Sequence, residues 1–373
     1  MKGNIKTLIP TIYTPDCPTI RSRLYPLCRI LAAKGFDFTF LVHEKEVKEV
    51  YPGIIYKGYK NHWELIYIVS KLNKKDADII LACKPHSVTG LLSFFVSRLK
   101  KIGYMLDVDD RITFSSEVNR WFRWILYLQE RISERFLIMV KPKTVVASSG
   151  LQDYWGKHVH YIPNSVDLNF FDRGKYPDKV REKYKIAGQI VIWPAIFFHE
   201  IDQGYIIEIF KQIEDKRKNI FLLILGDGKY LPRIKAKAER LGLTNIVFLG
   251  RVDYAQMPFF YAAADAGIIP LRDNNFDACK GPIKLYEFMA MELPVIATPI
   301  GEPKEMIGKA DCGVFIPFRD AEKAADVIIK LMDSKEELQR LGRNGRAYLE
   351  CYQTLEKQAE RLAEVLLSAL KKG

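Results

Sequence analysis

Several things are scarce in this chain of 373 residues, and each scarcity removes a class of protein. Its six cysteines, Cys17, Cys28, Cys83, Cys279, Cys312 and Cys351, stand far apart with no CxxC pair. Neither a zinc site nor a disulfide framework is expected from that spacing, which suits a reducing compartment. No apolar run reaches the roughly 18 residues that cross a bilayer. The first residues, MKGNIKTLIPTIY, lack the long apolar core and small-residue cleavage site of a secretory leader, so a cytoplasmic location is the expectation. There is no tandem repeat, no low-complexity segment and no zinc-finger or RRM-like aromatic motif. The last absence argues against nucleic acid as a partner.

What is present is a positive balance: 57 Lys and Arg against 45 Asp and Glu, a formal charge of +12. Such a surface favours anionic partners, either acidic lipid or phosphorylated substrates. The length predicts two domains, and an apolar share of 48% suffices for two cores.

The first half alternates short apolar runs with helical patterns. Strands are expected at Ile5 to Pro10, Phe36 to Val42, Ala77 to Cys83 and Gly103 to Val108, and helices at Ile20 to Lys34 and Val88 to Lys100. The second half repeats the plan. It has strands at Val145 to Ser148, Gln189 to Trp193, Ile220 to Leu225 and Ile246 to Leu249, with helices at Gly204 to Ile213 and Leu231 to Leu241. The tail from Glu336 to Lys372 reads as helix. Strands alternating with helices imply α/β, doubly wound parallel sheets, whose ligands bind beyond the carboxyl ends of the strands. The charged stretch Asp172 to Lys185 marks a domain boundary.

The richest stretch is KGPIKLYEFMAMELPVIATPIGEPKEMI, Lys280 to Ile307. A Gly-Pro pair opens a short helix, Glu287 sits early on it, and a buried strand and a second Gly- and Pro-containing turn follow. A helix N-terminus offers unpaired N–H groups and partial positive charge, a place for phosphate. A carboxylate one turn further in accepts hydrogen bonds from sugar hydroxyls. Phosphate beside hydroxyls is what a nucleotide-sugar presents. Upstream, Gly226-Asp227-Gly228 follows a strand and opens a helix, and Gly250-Arg251-Val252 follows the next strand. Taken alone, each of these is equally a tight turn.

The order GDG, FLGRV, YAAADAGIIP, KLYEFMA resembles the donor-site signature of GT-B glycosyltransferases, in particular the retaining family 4 (glycosyl transferases group 1). The resemblance runs from about Tyr161 to Leu366. YIPNSVDLNFF looks like the family's interdomain segment, and the last helices look like its closing elements. It implies a GT-B architecture, two Rossmann-like domains facing across a cleft. The expected parts are an acceptor domain at 1–172, a nucleotide-sugar domain at 173–345, and a C-terminal helix at 346–373 crossing back. It also implies a nucleotide-sugar donor, a glycan or polyprenyl-linked acceptor, retention of configuration, and neither cofactor nor metal. On the donor side Glu287 would bind ribose, Gly281, Pro282, Ile283 and Lys284 would frame the diphosphate, and Lys280 and Leu285 would belong to the same donor-binding stretch. Gly226, Gly228, Arg251 and Val252 would line the nucleotide.

The chain departs from the family in three places. The first Glu of the E-x7-E pattern falls on Cys279, and a thiol cannot grip sugar hydroxyls as a carboxylate does. The R-x4-K-G element is replaced by PAIFFHEIDQG, with Gln203 in the Lys position, which leaves Lys280, Lys284 and His199 as candidate cations for the leaving diphosphate. The usual Gly-Gly loop is replaced by TIYTPDCPTIRSRLYPL, where Arg21 and Arg23 are either contacts for an anionic acceptor or solvated helix charges.

Three features lie outside that signature. LDVDD, Leu106 to Asp110, ends a strand; Asp109 and Asp110 are candidate acceptor-side catalytic residues, or helix-capping and structural groups. His86, after another strand, is a further acceptor-side candidate. Val118 to Thr144 interleaves Trp121, Trp124 and Tyr127 with Arg120, Arg123, Arg131 and Arg135, which fits either an anionic membrane surface or an ordinary core helix with a basic outer face. Cell-surface polysaccharide synthesis is the expected setting. Two rival readings stay open. One is a catalytically degenerate GT-B scaffold. The other is a metal-dependent GT-A transferase using Asp107 and Asp109.

Overall fold

The computed structural model describes residues 4–44, 48–111, 120–197 and 204–370. His199, Gln203 and residues 118–119 lie outside the described residues, as do the side chains of 120–123. The chain divides into two compact units. One holds residues up to Ser165 together with Cys279–Gly281 and Gln353 onward; the other holds Val166–Ala278 and Pro282–Tyr352.

The first unit is an eight-stranded sheet: β1 (Ile5–Pro10), β2 (Phe36–His43), β3 (Lys48–Tyr51), β4 (Ile54–Tyr59), β5 (Ile79–Cys83), β6 (Gly103–Val108), β7 (Thr144–Val146) and β8 (His160–Tyr161). The spatial order is β3-β4-β2-β1-β5-β6-β7-β8. Every pair is parallel except β3 with β4. Central strands such as β5 and β6 are buried along their whole length, as a sheet covered on both faces requires. One face is closed by the Tyr25–Ala32 helix and by the last helix, Leu355–Leu370, which contributes Leu355, Ala359, Leu362 and Leu366 to the core.

The second unit is a six-stranded, all-parallel sheet: β9 (Gln189–Pro194), β10 (Ile220–Leu225), β11 (Ile246–Gly250), β12 (Ala266–Ile269), β13 (Val295–Ala297) and β14 (Gly313–Phe315), in the order β11-β10-β9-β12-β13-β14. Strand order reverses beside β1 in one unit and beside β9 in the other. Such switch points leave a crevice at the strands' carboxyl ends.

The unit boundaries fall at Ser165 and Gln353, not at 172 and 346. Val166 and Phe171 are buried in the second unit's core, and Arg346 donates to the carbonyls of Leu168, Phe171 and Ala290. Both segments are therefore bound to the second unit. The helix expected over Ile20 to Lys34 opens with a π-helical turn at Thr19–Leu24, and that over Val88 to Lys100 with one at Ser87–Leu92. The helical tail is two helices, Lys335–Tyr352 and Leu355–Leu370; between them the Gln353 carbonyl accepts the Ser165 hydroxyl at 2.5 Å.

The GDG turn has a packing reason. Gly226 and Gly228 sit at φ +128° and +149°, and a Cβ on Gly226 would lie 1.8 Å from the Ala195 carbonyl oxygen. The backbone after β10 is thus pressed against the backbone after β9, with Phe197 N–H donating to the Asp227 carbonyl at 3.0 Å. Gly226→Ala is expected to destabilise by more than about 1 kcal/mol, seen as a lower urea midpoint with an unchanged denaturant slope.

Candidate active site

In the first unit, the carboxyl ends of β1, β5 and β6 carry a connected set of buried polar groups. Thr19, Arg23 and Ser87 reach it from the two π-helical turns, a geometry that recurs at functional sites. The Arg23 guanidinium grips Asp107 in bidentate fashion, with bonds of 3.0 and 2.7 Å, and its remaining arm donates to the Ile162 carbonyl and the Asn164 Oδ1. Asn164 in turn donates to the Gly281 carbonyl at 2.7 Å. Burial pushes the Asp107 carboxyl up and the guanidinium pulls it back, while Arg23 is held charged by its partner. Arg23 is therefore neither a ligand for an anionic acceptor nor a solvated helix charge. It is 4% exposed and each of its three guanidinium nitrogens donates to a partner within the unit. Arg21 is half-buried.

The next two aspartates part company. Asp109 pairs with Lys84 at 3.1 Å and accepts the Thr19 hydroxyl at 2.5 Å. Burial alone would raise its carboxyl, but Lys84 and Thr19 hold it below the ordinary value. Asp110 has no such bond to Lys84. Burial, aided by the neighbouring Asp109 charge, pushes it up to about 6, against the pull of Lys84 and Lys280. Asp107 and Asp109 thus spend their oxygens on Arg23 and Lys84, and among the described residues no group of three or more His, Cys, Asp or Glu is arranged to hold a metal. The DxD reading does not match that donor set.

His86 is buried at the start of the Ser87–Leu92 turn. Its Nδ1 lies 3.2 Å from Glu130 Oε2, and its Nε2 lies 3.4 Å from the Tyr13 hydroxyl. Glu130 also accepts the Ser87 N–H and hydroxyl, both at 2.7 Å. In the neutral imidazole, a carboxylate on Nδ1 favours the tautomer that donates there and leaves Nε2 as acceptor. Burial would raise Glu130, but the His86 and Ser87 bonds hold it down. Lys84 caps the group: its ammonium lies 5.4 Å from the Tyr13 ring centre, and its backbone sits at φ +64°. Tyr13, Lys84 and Glu130 were not singled out from the sequence. Lys84 had a signal, two residues before His86 at a strand end. Glu130 lies 44 positions away and had none.

In the second unit, Glu287 lies on the Ile283–Ala290 helix, which is led by Pro282 with no side-chain cap. Glu287 is 3% exposed, and its Oε2 accepts the Tyr261 hydroxyl at 2.6 Å. Burial and the carboxylate together raise Tyr261 well above its ordinary value, so it stays a donor. Lys284 donates to the Pro194 carbonyl, which places its charge at the carboxyl end of β9. Arg251 is exposed, and Val252 is half-buried against the core. Leu285, expected among the donor-binding residues, has its side chain fully buried in the core, and its N–H donates to the Pro282 carbonyl at 3.0 Å. Lys280 and Gly281 group with the first unit and Pro282 onward with the second. Cys279 is buried, with its sulfur 3.6 Å from the Gly150 carbonyl, and burial pushes the thiol up to about 11.

Removing one partner of a buried ion pair leaves an uncompensated charge, at a cost of about 3–5 kcal/mol. Arg23→Met should therefore destabilise by that order in chemical denaturation, and Arg23→Met with Asp107→Leu should recover most of it.

Residues 178–348 match the family model described as "Glycosyl transferases group 1". The chain is 28% identical over 222 residues to a GDP-mannose-dependent monoacylated α-(1-6)-phosphatidylinositol monomannoside mannosyltransferase of Corynebacterium glutamicum, covering 57% of this chain and 58% of that protein. It is 27% identical over 141 residues to the lipopolysaccharide core biosynthesis mannosyltransferase LpsB of Rhizobium meliloti, covering 37% and 38%. The chain spans little more than half the length of the first of these relatives. Among solved structures, sucrose-phosphate synthase from Thermosynechococcus elongatus superposes with a TM-score of 0.76 at 15% identity, covering 99% of this chain and 100% of that one. Anabaena Alr3699/HepE in complex with UDP and glucose gives 0.75 at 14%, covering 98% and 100%. The fold, the motif order and the family match agree: the chain has the GT-B fold, and its residues 178–348 are similar to the group 1 glycosyltransferase domain.

Proposed function

We propose that this protein is a metal-independent, retaining glycosyltransferase. It moves a sugar, with mannose from GDP-mannose the leading candidate, onto a glycan or lipid-linked acceptor in cell-envelope glycan assembly. The observation that carries the reading is Glu287, buried one turn inside an uncapped helix and oriented by Tyr261, within the stretch that matches the family model. The sugar class rests on the relatives, several of which are named mannosyltransferases. The neighbours solved with UDP or UDP-glucose make a uridine donor the competing choice.

In this reading Glu287 accepts hydrogen bonds from the ribose hydroxyls. The first-turn N–H groups of its helix and the Lys284 charge stabilise the nucleoside diphosphate as its bond to the anomeric carbon breaks. The acceptor hydroxyl oxygen forms the new bond on the face the diphosphate leaves and gives its proton to Asp110. Asp110 is the group suited to take that hydroxyl's hydrogen bond, because Asp109 is already engaged by Lys84 and Thr19. The His86–Glu130 pair holds a second acceptor-side position.

The test is a thermal-shift panel with GDP, UDP, ADP, CDP and dTDP in EDTA. A ligand at 100 times its dissociation constant should stabilise by about 2.7 kcal/mol. GDP is expected to raise the midpoint. Glu287→Gln should weaken that binding by about 1.5–3 kcal/mol, the range for hydrogen bonds to a charged group. No shift from any of the five nucleotides would favour a scaffold that has lost the donor site, a reading that Cys279 in place of an acid already motivates. A shift that needs added metal would overturn metal independence.

The Asp110 carboxyl gives a pH signature. Its folded value, about 6, lies above the ordinary 3.8, so the proton is held more tightly in the folded state. The stability it contributes is full below about 3.8 and is lost as pH rises through about 6. Activity should run the other way: kcat/KM falls as pH drops through about 6, and Asp110→Asn abolishes that limb.

A further inference from the structure

The first unit carries an apolar groove beside the His86–Glu130 pair. It has a volume of about 540 Å³ and is walled by Leu91, Leu92 and Phe95 on one side and by Ile125, Leu128 and Ile132 on the other. The second wall is one stripe of the Arg120–Val140 helix, whose spacing of three and four residues puts these side chains on a single face. This face does not close on the core. Ile125 is 56% exposed and Ile132 58%, and Trp124, Leu99 and Phe95 stand out around them. On the neighbouring His62–Lys71 helix, Trp63 and Tyr67 are exposed as well. A clustered apolar surface of this kind marks an interaction site.

Its exposed charges are predominantly of one sign. On the Ser93–Lys100 and Arg120–Val140 helices, the exposed charged residues among those described are Arg98, Lys100 and Arg135, and Lys101 follows directly. The acids on these helices, Glu130 and Glu134, are turned inward: Glu130 to His86 and Ser87, Glu134 to Arg131 and Tyr154. On the His62–Lys71 helix the charges are Glu64, half-buried, and Lys71, exposed, so the fringe of the apolar face is predominantly basic, which matches a surface that is hydrocarbon inside and anionic at its edge. A protein partner would need a complementary acidic rim around an apolar ridge, and nothing in the structure selects for one. Ser87, which follows His86 in sequence and bonds Glu130, lines the groove, so a chain lying in it would come close to the acceptor-side groups.

We infer that this face docks on an anionic lipid bilayer, with the groove receiving a hydrocarbon chain whose polar head reaches His86. The inference deepens the proposed function, because it makes the acceptor lipid-borne, and it rests on that reading for the identity of the head.

The experiment uses the full chain and sedimentation with vesicles of phosphatidylcholine alone or of phosphatidylcholine with phosphatidylglycerol. The wild type should sediment with the mixed vesicles and much less with phosphatidylcholine, and added salt should weaken binding without abolishing it. Leu128→Glu and Ile132→Glu should each lower the vesicle partition coefficient by about tenfold or more, since each removes a large apolar side chain from the contact. Both positions are solvent-facing, and circular dichroism with the nucleotide-dependent thermal shift checks that the variants fold and keep the donor site. A wild type that ignores mixed vesicles, or variants that sediment like the wild type, would overturn the inference while leaving the donor reading intact. If light scattering shows a dimer that Ile132→Glu dissociates, a second copy covers the face and the inference is wrong.

Discussion

The first unit is organised around the bidentate pair of Arg23 and Asp107, 3% and 1% exposed at their side chains. Taking two charges out of water is repaid only when geometry is good and the leftover donors are satisfied. Here each nitrogen of the guanidinium has an acceptor, and these come from β6, from the Ile162 carbonyl and from Asn164. One side chain thereby fixes the π-helical turn after β1, the end of β6 and the segment leading out of the unit. Through Asn164 the same network holds the Gly281 carbonyl.

That arrangement explains how adjacent aspartates on one strand end take different chemical parts. Asp107 is structural, neutralised inside the sheet. Asp109 is neutralised one layer further out by Lys84, a residue held in a left-handed conformation that orients its ammonium between Asp109 and the Tyr13 ring. With both cations engaged, Asp110 carries the burial penalty and the field of its neighbour, and its carboxyl rises toward neutral pH. Groups poised near the operating pH are the ones that handle protons well. The distinction comes from partner supply, because all three carboxylates sit within four residues of sequence.

Much of this fold was legible from pattern. The apolar runs of β1, β6 and β10 matched their strands because buried parallel strands are continuous apolar segments with turns at both ends. β3, β4 and the His62–Lys71 helix were not read, since YPGIIYKGYKNHW mixes charge and glycine with its apolar residues and has no clear period. Glu287 was legible through its helix and its spacing from the Gly-Pro pair. Arg23 was not: a charge on a short amphipathic stretch looks like a solvated face until a carboxylate 84 positions away is known to lie against it. The burial of the Leu285 side chain was not legible either, because a motif position does not say which helix face a residue occupies.

The acid missing at Cys279 follows from its surroundings. The thiol lies against the Gly150 carbonyl, and Ser148 donates its hydroxyl to the Cys279 carbonyl at 2.7 Å, so the residue is built into the first unit's packing. Burial dominates its environment; Arg111 favours negative charge there, but Asp110, Glu134 and Asp153 oppose it. A carboxylate in that place would sit beside a carbonyl oxygen and in the field of Asp110, which would push Asp110 further toward its protonated form. The buried carboxylate of the Ile283–Ala290 helix is Glu287. The acid next nearest in sequence to Cys279, Asp277, is itself engaged by Arg272, so it does not substitute for the missing Glu.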